Sequence, residues 1–173
     1  MLEKMGITVE VWPLAADETG IWLLSSQDGP WETGPVLADG DVHFEVETLL
    51  SEHGVTMADI AVIHSTSWRP DGPAVVLTYA VVVRVGGYAL DAYPQAVPVT
   101  AALPEAVGKA PPHGAAEVPV PRLVDVLLHS LRHLRWLMDG DAETGAALDE
   151  NWRRHLAPLR PALATMYSER LAG

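Results

Sequence analysis

Three groups of residues in this chain have the types and spacing to do chemistry. The first is a run of carboxylates, Glu45, Glu47 and Glu52, within segment 41–55, DVHFEVETLLSEHGV. Carboxylate oxygens are hard donors of the kind Mg²⁺ takes. On an ideal helix Glu45, Thr48 and Glu52 lie near one face, and Glu47 sits about 140° around from Glu52. Glu45 and Glu52 are therefore the candidate metal ligands, and Glu47 and Glu52 the candidate catalytic groups. The same acids also fit the solvated face of an amphipathic helix.

The second group is HSTSWR, residues 64–69, at the end of an apolar run and before a turn. Strict strand alternation puts His64, Thr66 and Trp68 on one face, with Ser65, Ser67 and Arg69 on the other. Trp68 can stack a base or another flat ligand, and Arg69 can fork onto a phosphate or carboxylate. His64, Trp68 and Arg69 are the candidate ligand-binding residues; the alternative is that Trp68 packs on a sheet and Arg69 is an ordinary surface cation. No G-x-S-x-G elbow accompanies the serines. The third group is a stripe of His129, Arg132, His133 and Trp136 at helical spacing, a candidate surface for an anionic partner or a second copy of the chain. His129 and His133 have metal-ligand spacing, but no H-E-x-x-H surrounds them.

The elements that must position these groups follow from periodicity. Ile7, Val9 and Val11 alternate as a strand, and residues 20–25 form a short apolar strand. Residues 26–41 read as loop, and a helix follows with Asp41 at its N-cap, Gly54 at its C-terminus, and Phe44, Val46, Leu49 and Leu50 facing the core. Residues 60–65 and 74–85 make an antiparallel hairpin about a turn at 69–73, and VVLTYAVVV is too apolar on both faces to be other than a central strand. The connection 88–121 carries seven prolines; part of it must pack or form a strand, and 101–107 has the look of a helical turn. Leu123, Leu127, Leu131, Leu134 and Met138 then mark a helix ended by Asp139-Gly140-Asp141. A second helix is expected over 142–156, with Asp149–Arg153 and Glu150–Arg154 pairs, and a third over 162–171. The predicted class is α+β, a mixed β-sheet packed with helices, with a body at 1–120 and C-terminal helices at 121–173 packing on it or forming an interface.

Composition excludes several functions. The chain has 173 residues, no cysteine and 49% hydrophobic residues. Disulfides and thiolate chemistry are absent, and one core can form. Residues 1–120 hold 16 acids against 4 bases, whereas residues 121–173 hold 7 of each. So acidic a body does not wrap duplex nucleic acid. No apolar run suits a membrane span and no apolar leader opens the chain, so a cytoplasmic location is expected. No P-loop or G-x-G-x-x-G calls for a cofactor.

Segment 33–55 resembles the Nudix box, G-x5-E-x7-R-E-U-x-E-E-x-G-U, where U is a bulky aliphatic residue. Anchored on Gly54 and Val55, the opening glycine falls on Thr33, with Gly34 one place off, and the first glutamate on Asp39. The Arg-Glu pair falls on Glu47 and Thr48, the aliphatic position on Leu49, and the final Glu pair on Ser51 and Glu52. Glu52, Leu49, Gly54 and Val55 match. The order strand, box helix, hairpin is also similar to how Nudix domains continue, over about residues 5–135. The resemblance implies a Nudix-like fold. It implies Mg²⁺-dependent pyrophosphohydrolysis of nucleoside diphosphate derivatives only if Glu45, Glu47 and Glu52 rebuild a site from which most family acids are missing. The favoured expectation is a ligand-binding or regulatory module for a small anionic or nucleotide-like ligand, with no cofactor. The alternatives are the divergent hydrolase and a protein–protein adaptor or homodimer built through the C-terminal helices.

Overall fold

The computed structural model describes residues 6–37, 40–99 and 123–163. Its centre is strand β1 (Gly6–Ala16), whose side chains alternate between two apolar clusters. Ile7, Val9 and Val11 enter one, while Trp12 and Leu14 enter the other. Strand β2 (Ile21–Leu23) returns antiparallel beside β1, and two short strands, β3 (Trp31–Glu32) and β4 (Val36–Leu37), also pair with β1. Part of the stretch expected to be loop is thus strand. The turn between β1 and β2 is organised by the buried Asp17. Its carboxylate accepts from the Thr19 N–H and hydroxyl and from the backbone N–H of Gly20 and Ala89. Burial alone would raise the Asp17 pKa, but the Thr19 and Ala89 hydrogen bonds prevail and bring it down to about 2.

Helix α1 (Val42–Glu52) follows. Asp41 caps it by accepting from the His43 and Phe44 N–H groups. At the other end Gly54 takes φ +78°, with Gly54 N–H donating to Ser51 and Val55 N–H to Leu50. That paired pattern is a Schellman cap, and Val55 is buried beside Leu50 as the motif requires. Val46, Leu49 and Leu50 face the core as expected, but Phe44 does not: it is 62% exposed. The turn that carries it extends past the apolar stripe formed by positions 46, 49 and 50.

A 3-10 turn at Met57–Asp59 leads into β5 (Ile60–Asp71) and β6 (Ala74–Val83), which form an antiparallel hairpin. The strands extend further than expected, so the turn narrows to Gly72 and Pro73, with Gly72 at φ +55°. β6 lies between β5 and β1 and runs parallel to β1 from Gly6↔Ala74 to Leu14↔Val82. Its apolar run is explained by burial on both faces: Val81 and Val83 enter the α1-side cluster, Ala80 and Val82 the opposite one. After α2 (Ala89–Ala92), β7 (Val97–Val99) pairs with β2, supplying the strand expected in the long connection. The order β5-β6-β1-β2-β7, with β3 and β4 also on β1, makes a seven-stranded mixed sheet. The helical turn expected at 101–107 and the helix expected at 162–171 fall on residues outside those described, apart from 162–163.

The C-terminal segment packs on the sheet face opposite α1. Helix α3 (Leu123–Gly140) sends Val126, Leu127, Leu131, Leu134 and Leu137 into the cluster that holds Trp12, Leu14 and Val82. Leu123, at its start, is 46% exposed. The chain returns to the middle of α3, where the Ala162 N–H donates to the Arg132 carbonyl and Arg132 Nε to the Arg160 carbonyl at 2.8 Å. Residues 142–156 are two helices rather than one: α4 (Ala142–Ala147) and α5 (Glu150–Leu156). Leu148 is extended, and Asp149 caps α5 by accepting from Trp152 N–H instead of reaching Arg153, which donates to the carbonyls of Leu148 and Gly145. The break seats Leu148, Trp152 and Leu156 in the core. The result is an α+β fold: a mixed sheet with helices on both faces.

Candidate functional site

The box-like segment is built as one unit. The Trp31 ring on β3 stacks flat on His53 after α1, with centroids 4.0 Å apart. Thr33 exchanges hydrogen bonds with β1: its N–H donates to the Val9 carbonyl, and its hydroxyl accepts from the Val9 N–H. Loop and helix are thereby fastened to the central strand. The acids on α1 are not drawn together. Glu47 forms an i,i+4 pair with His43 at 3.2 Å, and Glu52 is exposed at the last helical position. Glu45 and Glu52 are two turns apart, roughly 10 Å of helix rise, too far to share one ion unless both side chains stretch fully toward it. Asp39 lies outside the described residues. Among the described residues no group of three or more His, Cys, Asp or Glu is arranged to hold a metal ion.

Strand β5 departs from simple alternation at Thr66. Ser65 pairs with Tyr79 and Ser67 with Thr78, so one extra residue is accommodated as a β-bulge. Cross-strand partners share a face. Trp68, opposite Leu77, is therefore on the α1 side, whereas Arg69, opposite Val76, joins His64 and Thr66 on the α3 side. This corrects the expected division, in which Trp68 shared a face with His64 and Thr66. Trp68 is 67% exposed. On that same face the Tyr79 phenol is raised in pKa by burial and by the charge of Asp41 at the N-cap of α1. An open indole thus shares a face with the phenol, opposite Leu77 and two residues along β6 from Tyr79.

Beneath α3 lies a seam of buried polar groups. Glu10 on β1 is completely buried. It accepts from Trp12 Nε1 at 2.6 Å, from the Thr78 hydroxyl at 3.4 Å, and from Arg69, which also donates to the Thr78 hydroxyl. A carboxylate taken out of water costs several kcal/mol unless paired in this way. Arg69 therefore answers an internal acid rather than standing ready for a ligand. Next along β5, the Thr66 hydroxyl bonds Ser130 on α3 at 3.1 Å, and the Thr66 carbonyl accepts from His129 Nε2 at 3.3 Å. His133 follows one turn later. Its ring centroid is 4.9 Å from His64, 6.2 Å from His129 and 6.0 Å from Trp136. Both His133 ring nitrogens are buried, and neither has a hydrogen-bond partner among the described residues.

Burial lowers the pKa of all three imidazoles. For His133 burial is joined by repulsion from His64 and His129, and the value falls to about 4. The Thr66 carbonyl partly offsets the shift at His129, and the Asp141 charge does so at His64. At neutral pH the cluster is uncharged. The expected cationic stripe on α3 is thus corrected: His129, Arg132 and His133 are turned inward, each less than a tenth exposed, and Trp136 alone of the four is open, at 39%. They face the sheet because α3 is covered on several sides, by β5 on one and the returning chain at 160–162 on another.

The sequence reading of the site missed Glu10, Thr78, Ser130 and Asp17. Glu10 had a signal: a single carboxylate inside the strand pattern ITVEVW, at a position that alternates with Val9 and Val11 and next but one to Trp12. A scan against protein-family models finds no match to this chain, and a search of curated proteins finds none either.

Proposed function

We propose that the chain is a Nudix-like binding module that holds a flat, anionic, nucleotide-like ligand without hydrolysing it. The observation that carries this reading is Trp68, two-thirds exposed on the sheet face that α1 covers. A large indole left in water is a stacking platform when it lies beside polar groups. The order of strand, loop, helix and hairpin supports the family likeness, as do the Asp41 cap and the Gly54 turn that frame the helix. The non-catalytic half of the reading is supported by Thr48 and Ser51, which stand where the family pattern has glutamates, and by Glu47, which is tied to His43. Calorimetry with a panel of nucleoside diphosphate derivatives, with and without Mg²⁺, tests it. Binding without turnover, lost in Trp68→Ala with the fold unchanged, is the expected result. Mg²⁺-dependent turnover abolished by Glu52→Gln would establish the hydrolase reading instead, and no binding by any member of the panel would remove the module reading.

A further inference from the structure

We propose that His64, His129 and His133 form an acid-sensitive seam between β5 and α3, so that mild acid loosens α3 from the sheet while the α1 face stays packed. The three rings come from two elements and meet around His133. Both nitrogens of His133 are enclosed without a hydrogen-bond partner among the described residues, so a proton added there creates a buried cation with none of these arranged to receive it. The surroundings offer little compensation. From α3, His129 and Arg132 are basic and Trp136 presents an aromatic edge. Asp125, one turn before His129, is a buried acid that already has an interaction of its own. From β5, His64 adds a second imidazole, and Thr66 uses its carbonyl on His129. From the start of α4, Asp141 acts on His64 while its carboxylate caps that helix through Thr144. From β1, Glu10 is already shared among Trp12, Thr78 and Arg69.

The structural consequence is local because the two apolar clusters are separate. The imidazoles belong to the α3 side; the α1 side contains Val46, Leu49, Leu50 and Val55, and His53, stacked there on Trp31, is exposed, so among the described residues the buried histidines are His129 and His133. Arg132, one residue before His133, holds the returning chain through the Arg160 carbonyl. Loosening this turn of α3 therefore also frees the chain at 160–162 and opens the sheet face that carries Arg69 and Glu10. Such acid sensitivity is independent of any ligand at Trp68.

Hydrogen exchange on the whole chain at pH 7.5 and pH 5.0, corrected for intrinsic exchange rates, tests it. The expected result is at least a ten-fold loss of protection in α3 and β5 at the lower pH, with α1 little changed. His133→Phe fills the same space without a titrating group at the centre of the cluster, and its α3 protection is expected to lose most of its difference between the two pH values, the remainder belonging to His64 and His129. If that variant does not fold, His64→Phe, at a half-buried position, is expected to reduce the pH effect several-fold. Equal loss in α1 and α3, no loss at all, or undiminished loss in the folded variant would overturn the proposal.

Discussion

The two faces of the sheet differ in what they bury. On the α1 face the interior is aliphatic and aromatic apart from Asp17 at the β1–β2 turn, which accepts from the Ala89 N–H, and the acids of α1 stay at the periphery. On the α3 face the carboxylates of Glu10 and Asp125, the guanidinium groups of Arg69 and Arg132, three hydroxyls and three imidazoles are enclosed or half-enclosed. The segment with the recognisable motif thus lies over the plainer interior, and a helix marked by its leucine spacing alone covers the polar one. A motif announces itself by spacing along the chain. A buried polar network is assembled across β1, β5, β6 and α3, which no local spacing records.

The contrast is sharpest at Glu10. Glu10→Ala leaves Arg69 without its acid and Trp12 Nε1 without an acceptor, and should cost about 3–5 kcal/mol in urea unfolding. The double replacement Glu10→Leu with Arg69→Met should cost clearly less than either single change, because neither charge is then stranded. If the double variant is the worst of the three, the pair is not the cause. Titration separates the faces next. The His133 pKa is lowered from 6.5 to about 4, so between those values the unfolded chain binds the proton that the folded chain refuses. The stabilisation is complete above pH 6.5 and is lost as pH falls toward 4, by roughly 2–3 kcal/mol. Asp17 behaves at a different pH: lowered to about 2 from 3.8, it stabilises the fold above 3.8 and gives that up as pH falls through about 2. Stability curves for His133→Phe and Asp17→Asn should therefore flatten in separate windows.

Smaller effects belong to the α1 face. Gly54→Ala must place a side chain at φ +78°, with an expected loss of about 1 kcal/mol in thermal unfolding. Trp68→Ala should shift stability by no more than about 0.5 kcal/mol, since the indole is mostly in water, while abolishing ligand binding. A large loss of stability in that variant would mean the ring is packed, and the stacking site would fall with it.

Much of the fold was legible because local rules agree with it. The alternation of Ile7, Val9 and Val11, the Asp41 and Gly54 caps, and the two-sided apolar run of β6 each have a mechanism written in a few neighbouring residues. Phe44 was misplaced because hydrophobicity was read without the helix phase that Val46, Leu49 and Leu50 set. The break at Asp149 was misread because an aspartate can serve either as an ion-pair partner or as a cap, and the burial of Leu148 and Trp152 decides between them. The site was less legible. The spacing puts His64 and Arg69 in one binding group and His133 in a helix stripe, with nothing to join the two. What unites them is the pairing of β5 with β6 and the docking of α3, and both are long-range.

The extra residue at Thr66 acts as a parity element in the hairpin. Everything from Ser67 to the tip inherits the opposite odd–even assignment from the residues before it. If the bulge were ironed out with every residue kept, strict alternation would exchange the two neighbours: the guanidinium would swing out to solvent and the indole would turn in beneath α3, leaving a buried acid stranded. Deleting Thr66 itself would remove the bulge yet leave both neighbours on their faces, because Ser65 and Ser67 already oppose adjacent residues of β6; the loss would be the Thr66 bonds to Ser130 and His129.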